Sequence, residues 1–209
     1  MAETLKEIDN SLVTVGKPVD GGCCWTNFGE SYDVPTDATT KMSDQDGWES
    51  LGELSENGFT EGKSVTGNKF KGWHGSIVLT SISDEDRTFK VEFIEVNRPS
   101  VAKVRYGKDN VQSGEDGSVS KIVDKIGVEA KLPLVFDELE SNGYLRRTVV
   151  KMASIDSFDD VPHARGSLLV YGMTFTALDT GDGEPVTIYR AKPASGSTGQ
   201  TGATGQTGE

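Results

Sequence analysis

The chain has 209 residues, of which 34% are hydrophobic, 26% are charged and 25 are glycine. This suits one domain with a modest core and many turns, and leaves little room for two. Its 21 Lys and Arg against 33 Asp and Glu give a net charge of −12, which rules against gripping nucleic acid through a phosphate-neutralising surface unless the few cations are segregated. The imbalance is concentrated, because residues 1–60 hold 12 acids against Lys6, Lys17 and Lys41. One side of the molecule is expected to be strongly negative.

The segment Met1 to Glu7 has neither the basic nor the apolar stretch of a secretion signal. No apolar run approaches the length of a bilayer span, so a soluble chain with no membrane partner is expected. Cys23 and Cys24 are the only cysteines, and neighbours in sequence cannot cross-link distant parts of a fold. They read as two small, half-buried thiols.

Taken in chain order, weak strand signals fall at 12–15, 49–54 and 59–65. Residues 76–82 are β-branched and apolar on both faces, and in 87–93 Phe89, Val91 and Phe93 alternate with Thr88, Lys90 and Glu92. The polar run Ser83-Asp84-Glu85-Asp86 between them predicts a tight connection, and the two runs a hairpin. Asn97 reads as a helix cap with Pro99 in the first turn, Val101 and Val104 on the docking face, and Gly107 as the stop. Val128, Ala130, Leu132, Leu134 and Phe136 predict a further strand, with Pro133 placing it at a sheet edge. Asn142-Gly143 predicts a turn into a strand over 144–152, although 137–141 also suits a short helical turn. Runs over 167–178 and 186–189, separated by Asp179-Thr180-Gly181-Asp182-Gly183, predict a third hairpin.

From Gly196, glycine recurs every third residue through Gly208. Four such triplets without proline are too few for a stable triple helix, so 193–209 read as a disordered low-complexity tail, with a trimerising extension as the alternative. The organisation expected is one β domain over 1–192, with 1–10 as an N-terminal arm, 29–47 as a long loop and 193–209 as the tail.

Chemical motifs are weak throughout. Gly58-Phe59-Thr60-Glu61-Gly62-Lys63-Ser64 resembles a phosphate-binding loop but has three residues between its glycines where four are required, and strand-like residues follow instead of a helix. The acidic runs at 44–47 and 179–184 lack the alternating ligands of a calcium loop and read as turns. His74 and His163 are the only histidines and make no metal pair or triad. No cofactor, metal or catalytic residue is therefore expected. Trp25, Trp48 and Trp73 read as plugs of a sandwich core, as subunit-contact anchors or as sugar-stacking platforms.

The order of segments carries a resemblance. Pro35-Thr36-Asp37-Ala38 precedes Trp48-Glu49-Ser50-Leu51-Gly52-Glu53-Leu54-Ser55-Glu56-Asn57-Gly58, then Trp73-His74-Gly75, Glu95-Val96-Asn97, Tyr106-Gly107 and the strand Tyr171 to Asp179. Together, from about Asp33 to Arg190, these resemble the major tail proteins of long-tailed phages infecting actinobacteria. The resemblance implies a mainly β, tail-tube-like sandwich or barrel with one short flanking helix, assembling as hexameric rings stacked into a tail tube through which DNA leaves. It implies a structural protein of the virion tail, assembled in the host cytoplasm. The partners implied are further copies of itself together with tape measure, tail terminator and tail-tip proteins, and DNA that passes without specific binding.

Under this reading Pro35, Trp48, Leu54, Phe59 and Trp73 are the self-assembly candidates. Asp33, Asp37, Asp44, Asp46, Glu53 and Glu56 are the candidates for an anionic bore that repels passing phosphates, and the 29–47 loop is expected to order when rings stack. The alternative is a carbohydrate-binding β-sandwich of a virion decoration or adhesin, using the tryptophans.

Overall fold

In the computed structural model, residues 9–19, 22–127 and 129–192 are described. The strands are β1 (Gly16–Pro18), β2 (Cys24–Asn27), β3 (Trp48–Ser50), β4 (Leu54–Lys71), β5 (Ile77–Phe93), β6 (Val111–Ser113), β7 (Val119–Ile122), β8 (Lys131–Glu140), β9 (Leu145–Phe158), β10 (Tyr171–Ala177) and β11 (Val186–Ala191); helix α1 spans Pro99–Tyr106. The fold is mainly β with one helix, as expected. Its main sheet is antiparallel, in the order β3-β2-β8-β9-β10-β5-β4, with β1 on β8 and β11 on β9, and it does not close into a barrel.

The sheet curls so that its β4 edge meets its middle. Phe59 of β4 stacks on Phe136 of β8 at 4.3 Å between ring centroids, and Phe89 of β5 lies 5.6 Å from the same ring. Phe89, Val91 and Phe93 are buried in this main core with Leu132, Leu134, Met173 and Phe175, the helix adding Val101 and Val104. The other face of β8 and β9 is also covered: Val135 and Val149 join Trp25, Trp48 and Met42 in a second cluster. Burial on both faces explains why Leu132 to Phe136 is apolar without strict alternation.

Several expectations need correction. Ser83 to Asp86 is not a connection; it lies in the middle of β5, which runs unbroken from Ile77 to Phe93. Of its charges, Glu85 meets Lys63 across the ribbon, Nζ 2.8 Å from Oε1, and Arg87 on its own strand, which also reaches Glu61 across the ribbon. A two-stranded ribbon wetted on both faces holds polar residues mid-strand, so polarity mimicked a turn. The real turn is at Gly72–Ser76, closed by Gly72 N–H to Ser76 O and Gly75 N–H to Gly72 O, with Gly75 at φ 82° where a side chain would be strained.

Pro133 is not at an edge. β8 pairs with β9 on one side and with β2 and β1 on the other. Proline is tolerated because the register with β9 slips between Leu132 and Leu134, a bulge that needs no donor there, and Thr26 Oγ1 donates to Pro133 O. The third hairpin is absent too: β10 and β11 both pair with β9, over Ala153–Phe158 and Leu145–Val150, so they lie end to end.

The Asn142-Gly143 turn does join β8 to β9, and the strand signal over 137–140 wins over the helical one. The helix begins where Pro99 predicts but its cap is Arg98, without a side-chain hydrogen bond; Gly107, at φ 88°, ends it. Near the amino terminus a 3-10 turn at Asn10–Leu12 and β1 replace the strand expected over 12–15. The tail over 193–209 and residues 1–8 of the expected arm lie outside the described residues.

Candidate functional site

The most unusual feature is the β4–β5 hairpin. Its inner rungs, such as Leu54 opposite Phe93, belong to the core, but from Lys63 opposite Arg87 outward it leaves the body. The nine residues from Lys63 to Lys71 reach about 30 Å at ordinary strand rise, roughly the width of a small domain. This ribbon is not polar. Val65, Phe70, Ile77, Val78, Leu79 and Ile82 are all exposed, and Trp73 at the turn is 100% exposed.

Phe70 faces Leu79 across the ribbon. Two-stranded hairpins are at best marginal alone in water, and a row of half-exposed large apolar side chains adds a drive to be covered. Burying these seven side chains fully would contribute roughly 5–10 kcal/mol before the costs of association. The ribbon therefore carries a large apolar surface that the single chain leaves uncovered.

A second surface is the 29–47 segment, which holds five acids against Lys41. It is anchored within the single subunit. Arg147 on β9 is 2% exposed and makes a two-pronged pair with Asp137 of β8, Nε to Oδ1 at 2.6 Å and Nη2 to Oδ2 at 2.9 Å. The same guanidinium donates to the carbonyls of Asp37 (3.0 Å) and Thr40 (2.8 Å), so one buried cation fastens the segment to the sheet.

Tyr32 Oη donates to Lys151 O, and Trp48 Nε1 donates to Asp33 O. The Asp37 carboxylate accepts the amide and hydroxyl hydrogens of Thr39 and Thr40, and these bonds, those of Thr40 foremost, hold its pKa far below the ordinary carboxylate range. The segment expected to order upon stacking is thus already packed over the second cluster.

The candidate residues divide accordingly. Pro35, Trp48 and Leu54 are buried inside the subunit, Phe59 is half-buried against Phe136, and Trp73 alone of the five stands fully in solvent. Among the acids, Asp33 and Asp46 come together at an open cleft of about 250 Å³ with Tyr32 and Gln45. Asp44 is exposed on the same segment, and Asp37 is committed to its turn. Glu53 and Glu56 are exposed apart from these, before and within the start of β4.

Trp25 and Trp48 are both buried, so the carbohydrate alternative retains one tryptophan of its three. Burial drives the Cys24 thiol well above its usual pKa and raises that of Cys23; Cys23 is half-buried as expected, whereas Cys24 is fully buried.

Sequence reasoning missed Arg147 and Asp137. They could have been found from an arginine and an aspartate at facing positions on either side of the Asn142-Gly143 turn; the two are opposite in register.

Compared with known families, residues 29–197 match the family model described as phage tail tube protein. No curated protein matches the chain.

Proposed function

The chain belongs to the phage tail tube protein family and has the structural role of a tail tube subunit in the virion tail, and from that premise we infer how copies join: they close into rings, and each ring grips the next through the β4–β5 hairpin. The observation that carries this reading is the ribbon itself, a long projecting hairpin with apolar side chains exposed on both strands. Stacking would cover it and turn an aggregation hazard into the tube's own bond. Sheet edges at β3 and β4 offer the lateral contacts within a ring.

The tube's work is passive. DNA runs through the bore without specific binding, repelled by a wall that draws on the chain's −12 charge. Glu53 and Glu56, exposed and without an ion pair among the described residues, are the acids assigned here to that wall. Tape measure, terminator and tip proteins meet the tube at its ends, and assembly takes place in the host cytoplasm. The role is structural, with no reaction assigned.

Negative-stain microscopy of concentrated pure protein tests the reading. Hollow tubes or stacked rings are expected; a monodisperse monomer at every concentration, with the hairpin intact, contradicts it. In a tube reconstruction Glu53 and Glu56 should face the bore, and an outward position for both would remove them from the wall.

A further inference from the structure

Charge on the hairpin is segregated in a way that tube formation alone does not require. Its middle holds Asp84, Glu85 and Asp86, whereas the distal stretch 66–80 holds Lys69 and Lys71 and no acid. Lower on the ribbon Lys63 pairs with Glu85, and Lys90 of β5 with Asp159, but neither Lys69 nor Lys71 makes an ion pair among the described residues. Two residues apart on one strand, they share a face. Trp73 lies two residues further, in the turn. A molecule of charge −12 therefore presents a cationic, aromatic tip.

Resting on the stacking reading above, we propose that this tip seats in the acidic cleft of the 29–47 segment on a second copy, Lys69 and Lys71 pairing with Asp33 and Asp46 and Trp73 lying against Tyr32. The cleft complements the tip in charge, and Asp33, Asp44 and Asp46 make no ion pair among the described residues. The larger groove of the subunit, about 620 Å³, is the poorer complement, because Lys108, Lys125 and Lys131 and the Glu49-paired Lys103 line it together with Glu30, Asp109 and Glu129, whereas the acids of the cleft share it with no cation.

The receiver is also preorganised. Arg147 fixes the segment from beneath, so docking costs little ordering there. Tip and cleft are different surfaces, so the contact is head-to-tail and propagates as an open stack instead of closing as a dimer. Asp33, Asp44 and Asp46 then belong to the joint between rings, and the bore is left to acids such as Glu53 and Glu56.

Carbodiimide cross-linking of assembled wild-type tubes, made from mixed isotopically labelled and unlabelled subunits, reads the contact directly. Inter-copy links from Lys69 or Lys71 to Asp33, Asp44 or Asp46 are expected; tubes whose tip lysines link instead to Asp109 or Glu129 in the larger groove overturn the assignment while leaving stacking intact. Charge reversal gives an independent reading. K69E/K71E should slow elongation by about tenfold or more, D33K/D46K likewise, and an equal mixture of the two variants should co-assemble through swapped joints. Elongation of K69E/K71E at the wild-type rate would refute the pairing, whereas wild-type protein that forms no tubes would refute stacking itself and the docking with it.

Discussion

The body and the distal hairpin are made of the same antiparallel strand, yet they obey different rules. In the body, Phe89, Val91 and Phe93 of β5 are at most 1% exposed and pack on Phe136, Met173 and Phe175; ten to fifteen residues earlier on the same strand, Leu79 and Val78 stand 59% and 66% exposed. One strand thus begins in solvent and ends in a core. The lesson is that apolar content alone does not locate a core, because side chains can be reserved for a neighbour that the single chain lacks. The body should behave as an autonomous fold, and the hairpin should matter only upon assembly.

The largest expected effect is at the buried latch. Arg147→Ala leaves Asp137 charged and unpaired beneath the sheet and frees the carbonyls of Asp37 and Thr40, which should cost about 3–5 kcal/mol in urea unfolding. It should also abolish the hydrogen-exchange protection that the 29–47 segment is expected to show in the isolated wild-type subunit. Protection appearing only in tubes would blur the line between body and hairpin by making this segment, too, a product of assembly.

Next comes the turn within that segment. Asp37→Ala should cost about 1 kcal/mol, as loss of a capping carboxylate does. Because the folded-state pKa of Asp37 lies below its unfolded value of about 4, its contribution is full above that pH and is lost as pH falls below it toward the folded value. The stability gap between wild type and Asp37→Asn should therefore narrow as urea titrations move from pH 6 to pH 3, and a constant gap would deny the carboxylate its role.

Smallest for the subunit, and largest for the tube, are the hairpin changes. Phe70→Ser, Ile82→Ser and Trp73→Ala should each shift subunit stability by no more than about 0.5 kcal/mol, as exposed substitutions do, while shortening or eliminating tubes in micrographs. A loss of several kcal/mol from any of them would mean that the ribbon folds back on its own body.

The sequence made the body more legible than the ribbon for a physical reason. Alternation in Phe89-Lys90-Val91-Glu92-Phe93 and the Pro99 and Gly107 signals mark one-sided burial and helix ends, and both hold in the structure. Alternation is lost where a strand is covered on both faces, as at Leu134-Val135-Phe136, or on neither, as at Asp84-Glu85-Asp86. In those places polarity alone mimics a turn, and proline an edge. The end-to-end placement of β10 and β11 on β9 was equally illegible, because a pairing partner forty residues away leaves no local mark.

At the candidate surfaces, Trp73 was visible as a lone large aromatic in a glycine turn, but exposure distinguishes it from Trp25 and Trp48, and exposure is a property of the fold. The Arg147 latch was hidden because a single buried cation looks like any surface arginine until its strand is paired.

A reconstruction of the assembled tube tests the central claim most directly. Val65, Phe70, Trp73, Ile77, Leu79 and Ile82 should pass from exposed in the subunit to buried against a copy in the next ring, with the body unchanged. Tubes in which that hairpin still projects into solvent would contradict the account.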